Sequence, residues 1–144
     1  LLSTVVPAEP AAILPTAGIL IGGAMTSTTL AGRRMGEELA GQRGAYEAGL
    51  SLGLTRRSSA ILVAREAAAL ALVPGLDQTR TVGLVTLPGA FVGVLLAGAS
   101  PWQAAAAQIL VLVSLLLVQA IAVTVTIELV GAGLLQVTQT ALPA

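Results

Sequence analysis

TVGLVTLPGAFVGVLLAGASPWQAAAAQILVLVSLLLVQAIAVTVTI, residues 81–127, holds no charged residue across 47 positions. A helix needs about 20 apolar residues to cross a ~30 Å hydrocarbon core, so this run is long enough for two. Ala99-Ser100-Pro101-Trp102 interrupts it with turn chemistry and an interfacial tryptophan. Spans are therefore predicted over 82–98 and 104–127. Working outward, a second charge-free run, residues 10–32, predicts a span over 11–31. Twelve of the fourteen charges fall between Arg33 and Arg80, leaving only Glu9 and Glu128 outside. In lipid every backbone polar group must be satisfied internally, which selects helices. The expected fold class is all-α: a polytopic transmembrane protein, residues 1–144 forming one membrane region. Three spans flank a cytoplasmic helical loop over 33–80, with a tail over 128–144.

Composition supports the same class. The chain is 56% apolar and only 10% charged, against roughly 25% charged in a soluble domain, and its mean hydropathy is +0.93. The net charge is zero, which removes the basic excess that nucleic-acid binding needs. With no His, no Cys and no Lys, Ser–His and Cys–His dyads, HExxH zinc sites and the GxxxxGK[ST] phosphate loop are excluded. The chain is therefore expected not to be an enzyme, to bind no cofactor and to hold no defined metal site. It starts without Met or a basic leader and reads as a fragment or processed product.

All seven arginines lie in the 33–80 block, which places that block on the cytoplasmic side and the 99–103 turn outside. The tail then falls in the cytoplasm, although it has no arginine. A further span over 59–75 would remove that conflict, but Arg65-Glu66 at its centre argues against it, each charge costing ~2.5–3.5 kcal/mol on insertion scales. Arg33/Glu37, Arg34/Glu38 and Arg43/Glu47 are i,i+4 pairs, so the first span continues as a solvated helix. Thr55 is positioned to cap a helix from Arg56 to about Val73, which Pro74-Gly75 ends.

Four patterns carry possible chemistry. Glu47-Ala48-Gly49-Leu50-Ser51-Leu52-Gly53 has the form EA(A/G)-x3-G on a cytoplasmic loop. It looks like the segment, here about 45–55, that ABC-transporter permeases offer to their ATPase subunits. Small residues at Ala48, Gly49 and Gly53 permit close approach, and Glu47 can pair with a partner group. Leu87, Pro88 and Gly89 break the 82–98 span, and serve as a packing kink or as a hinge lining a pathway. Gln108, Gln119 and Thr126 share one face of the last span, a polar stripe suited either to interhelical hydrogen bonds or to a path. Gly18-x3-Gly22 and Gly89-x3-Gly93 allow close helix packing.

An ordered set of segments resembles the FetB-like family of ABC-transporter permeases, whose bacterial members are linked to iron export and plant relatives to aluminium tolerance. The set is Leu14-Pro15-Thr16-Ala17-Gly18-Ile19-Leu20-Ile21-Gly22-Gly23-Ala24-Met25, Leu50-Ser51-Leu52-Gly53-Leu54-Thr55, Thr81-Val82-Gly83-Leu84-Val85-Thr86-Leu87-Pro88-Gly89, Leu96-Ala97-Gly98-Ala99-Ser100-Pro101 and Ala107-Gln108-Ile109. Gly23 stands where the family usually has Asn, and Ala107 where it usually has an aromatic residue. The resemblance implies the C-terminal half of a permease of about seven spans in the inner (plasma) membrane. It implies a separate ATPase partner that binds ATP and Mg, and a homodimer of permeases within the lipid bilayer. A membrane anchor or scaffold without a transport path, and a channel, are the alternatives.

Overall fold

The computed structural model describes residues 10–81 and 89–135. The helices are α1 (Pro10–Gly41), α2 (Arg43–Ser51), α3 (Arg56–Ala69), α4 (Val73–Thr81), α5 (Gly89–Leu96) and α6 (Pro101–Gly131), with a tight 3-10 turn over Leu70–Leu72. No strand occurs among the described residues. The all-α class is borne out. Two compact units divide the chain: Leu1–Ala24 with Pro74–Val118, and Met25–Val73 with Gln119–Ala144.

The second unit has a core built from small residues. Ala60, Ala64 and Ala68 lie on one face of α3, followed by Ala71 in the tight turn, and all are buried. They pack with Ala31 and Met35 of α1 and Val123 of α6, ringed by Leu30, Leu39, Tyr46, Leu72, Ile127 and Val130. The absence of long side chains lets helix backbones approach closely. By contrast, an added Cβ at Gly18, Gly22, Gly89 or Gly93 would meet nothing within 4 Å. Among the described residues the close-packed seam is built at other positions. Alanines at the same four-residue interval, Ala60-x3-Ala64-x3-Ala68, fill that role.

Helix limits follow local chemistry. α1 continues past the predicted span to Gly41 and bends into α2 at Gln42. Two of the three predicted ion pairs form, Arg33–Glu37 at 2.8 Å and Arg43–Glu47 at 2.9 Å. The third does not. Glu38 instead accepts from the Gln42 amide, and Arg34 Nε is buried without a hydrogen-bond partner. Thr55 caps α3 as expected, its Oγ1 accepting from the Ser58 N–H at 3.2 Å, a contact worth about 1 kcal/mol in helices generally. Pro74-Gly75 does not end the helix. The backbone tightens over Leu70–Leu72 and α4 begins at Val73, so Pro74 falls in a first turn, where its missing N–H is harmless. The stretch Arg56–Arg80 is consequently long and apolar enough to cross a membrane, as is Pro101–Gly131. The former overlaps the segment that Arg65-Glu66 argued against as a span.

In the first unit, Ser100 and Gln103 form a reciprocal cap. The Ser100 Oγ accepts from the Gln103 N–H at 3.3 Å, and the Gln103 Oε1 accepts from the Ser100 N–H at 3.0 Å. That cap and Pro101 fix where α6 starts. Trp102 just inside it is 82% exposed. Of the predicted 82–98 span, residues 82–88 lie outside the described residues and Gly89–Leu96 is helical.

Candidate functional site

α2 carries the predicted docking segment, and its residues divide into two sets. Glu47 and Ala48 are exposed, with the Glu47 carboxylate held by Arg43 on the same helix. Gly49 is buried. A Cβ built there would sit 2.4 Å from Ser59 Oγ and 3.5 Å from Leu54 Cδ1. The small size of Gly49 therefore serves the seam between α2 and α3. Ser59 is itself fully buried, and its hydroxyl has no hydrogen-bond partner. Gly53 has φ +88°. It ends α2 in a Schellman turn, with the Gly53 N–H donating to Leu50 O at 3.0 Å and the Leu54 N–H to Gly49 O at 3.1 Å. Glu47, Ala48, Gly49 and Gly53 are brought together on one short helix and its turn, with only the first two offered outward as side chains.

α6 presents two unlike faces. Outward stand Ile109, Val113, Leu117, Ile121 and Val125, each 49–62% exposed. Buried are Ala104, Ala107, Gln108, Leu115, Gln119, Val123 and Thr126. A helix whose outer face is greasier than its inner one is arranged for lipid, where polar groups turn toward protein. Thr126 satisfies its hydroxyl by donating to Ala122 O at 2.7 Å. Gln108 and Gln119, 9% and 7% exposed, each leave the side-chain Oε1 without a donor. Leu87 and Pro88 lie outside the described residues, and Gly89 opens α5.

One contact was not read from sequence. Arg57 at the start of α3 donates through Nε to Glu128 Oε2 at 2.8 Å, and Nη2 reaches the same oxygen. Beside it, the Gly131 backbone lies against Ile61, where an added Cβ would come within 3.1 Å. The signal that could have found this pair was the isolation of Glu128, a lone acid after 47 uncharged residues that needs a cation nearby.

Residues 1–134 match the family described as "Uncharacterised protein family (UPF0014)". The chain belongs to that family. Among UPF0014 relatives, "UPF0014 membrane protein STAR2" of Oryza sativa subsp. japonica is 41% identical over 108 residues, 75% of this chain and 38% of the relative. "Protein ALUMINUM SENSITIVE 3" of Arabidopsis thaliana is 38% identical over 111 residues, 77% of this chain and 41% of the relative. "Probable iron export permease protein FetB" of Escherichia coli (strain K12) is 35% identical over 107 residues, 74% of this chain and 41% of the relative. The chain thus spans about two-fifths of the length of these curated relatives. The FetB-like resemblance of its motifs is borne out. No solved structure matches the chain.

Proposed function

We propose that this chain is part of the permease of an ABC transporter that exports a metal cation, driven by a separate ATPase that binds ATP and Mg. The observation that carries the reading is the 35% identity to the protein named as a FetB iron export permease. In this reading the protein is multi-pass in the plasma membrane and pairs with a second permease copy, and residues 33–80 face the cytoplasm. The Arg57–Glu128 pair supports that topology, because it holds the end of α6 on the same side as the arginine block. The missing arginines in the tail then present no conflict.

The mechanism follows from the contacts. The ATPase grips the outward face of α2 at Glu47 and Ala48 and moves it when it closes on ATP. Because Gly49 is seated on Ser59, α2 cannot shift without α3. Because Arg57 pairs with Glu128 and Gly131 abuts Ile61, a shift of α3 is passed to the end of α6. Along α6, the amide oxygens of Gln108 and Gln119 have no donor of their own and suit a cation that prefers oxygen ligands. The Leu87-Pro88-Gly89 sequence is the place where the reading puts a hinge.

Docking is tested at the outward residues. Gly53 is a poor test site, since any side chain at φ +88° disturbs the turn itself. Glu47→Arg and Ala48→Trp, placed in the full-length permease, are expected to abolish stimulation of ATPase activity while leaving the fold intact. Stimulation equal to the parent in both variants would refute docking at α2. Leakage of metal from liposomes without ATP would favour a channel, and neither activity a scaffold.

A further inference from the structure

The second unit contains a groove of about 680 Å³ where the end of α1, α2, the start of α3 and the end of α6 meet. Its lining includes Arg43, Tyr46 and Arg56 and the apolar Leu39, Val130 and Leu135, and among the described residues no acidic residue lines it. We propose that this groove binds the phosphate headgroup of an anionic phospholipid from the cytoplasmic leaflet. The leaflet follows from the orientation proposed above, and the site itself rests on the groove.

Three observations support this occupant. The first is charge. Arg43 engages Glu47 through Nε alone, and Arg56 forms no ion pair among the described residues. Guanidinium groups bind phosphate oxygens with a fork of parallel donors. The second is that the cations are not needed to neutralise the exposed end of α6. Three of its last carbonyls are already taken, Glu128 O by the Ala132 N–H at 2.9 Å, Val130 O by the Gly133 N–H at 3.0 Å and Leu129 O by the Leu134 N–H at 2.9 Å. The third is depth. Gly36 and Ala40 on α1 lie five to nine residues beyond the span predicted to end at 31, and Val130 to Gly133 lie three to six beyond the span predicted to end at 127. At about 1.5 Å per residue those positions fall roughly 5–14 Å outside the hydrocarbon, the layer in which headgroups begin. Leu39, Val130 and Leu135 give the glycerol and upper chains an apolar wall, and Gly133 leaves open space beside it. A soluble anion would have no use for that wall.

The test is lipid binding to the purified full-length permease by native mass spectrometry, with phosphatidylglycerol and phosphatidylcholine titrated separately. No ATPase is present, so a permease that fails to couple still reports on the groove. The parent is expected to prefer phosphatidylglycerol. Arg56→Gln and Arg43→Gln should each weaken that preference about fivefold, and the double variant should erase it. Arg33→Gln removes the same charge outside the groove and should leave the preference unchanged, which separates a site from general basicity. Equal binding of the two lipids by the parent, or equal loss in Arg33→Gln, would overturn the proposal. So would displacement of phosphatidylglycerol by excess inorganic phosphate, which would assign the groove to a soluble anion.

Discussion

Gly49 has no room for a side chain, and Ser59 is the reason. The Ser59 hydroxyl lies where a Cβ would go, and it is buried without a partner. Gly49→Ala should therefore destabilise the protein by about 1–3 kcal/mol, the usual range for overpacking. Ser59→Ala alone should be neutral or stabilising, because it removes an unsatisfied buried hydroxyl. Combined, Ser59→Ala should recover part of what Gly49→Ala loses. Thermal unfolding in detergent of both single variants and the double reads this, and strict additivity would mean the two residues do not share space. The sequence revealed that a small residue was needed at 49 but not which side needed it. A docking motif and a packing seam both select glycine, and only the position of Ser59 distinguishes them.

Among the elements, α6 shows most clearly what sequence can carry. Its existence over 104–127 and the shared face of Gln108, Gln119 and Thr126 are legible, because apolar length and the 3.6-residue period are local, whereas the helix itself runs further, from Pro101 to Gly131. The alanine face of α3 is not legible in the sequence, since alanine is too common in this chain for a run at positions 60, 64 and 68 to stand out. The passage of the helix through Pro74 was misread for another reason. Proline stops a helix interior but begins a new turn equally well, and the tight 3-10 turn before it decides which. The pairing of Arg34 with Glu38 failed because spacing alone does not rank competitors, and Gln42 sits one turn further along the same face.

Two predictions belong to these elements. Gln108→Leu and Gln119→Leu each replace an amide whose oxygen is unsatisfied, so melting temperature should hold or rise while metal export falls. A drop in stability matching the loss of transport would instead make the glutamines interhelical braces. The clamp between α3 and α6 should contribute little to stability, ~0–1 kcal/mol, because Arg57 and Glu128 are about half exposed and water screens them. Its value is positional. Arg57→Glu and Glu128→Arg should each lower metal exported per ATP hydrolysed, and the charge-swapped double variant should restore it.

At the scale of the whole molecule, the side from which single cysteines react distinguishes the long helices that cross the bilayer from those that do not. Arg56–Arg80 qualifies by length and apolarity, yet Arg65 and Glu66 stand exposed midway along it. With 33–80 cytoplasmic, single cysteines at Leu76 and Ala132 should react with a membrane-impermeant thiol reagent only from the cytoplasmic side, and one at Trp102 only from outside. Reaction of the Leu76 position from outside would make Arg56–Arg80 a span and leave 82–98 to turn back without crossing. The outcome for Ala132 is expected to be the same in either case, because Arg57 and Glu128 hold the end of α6 beside the start of α3.

The two-faced build of α6 also allows its two faces to be varied independently. Ile109, Val113, Leu117, Ile121 and Val125 face outward and are not members of the buried core cluster. Recoding those five positions to glutamate, lysine or glutamine would remove the apolar stripe of this one helix, while Ile21, Met25, Leu62 and Leu96 stay exposed elsewhere. Gln108 and Gln119 lie on the opposite face and could be kept unchanged, so such a variant separates what the greasy stripe does from what the amides do.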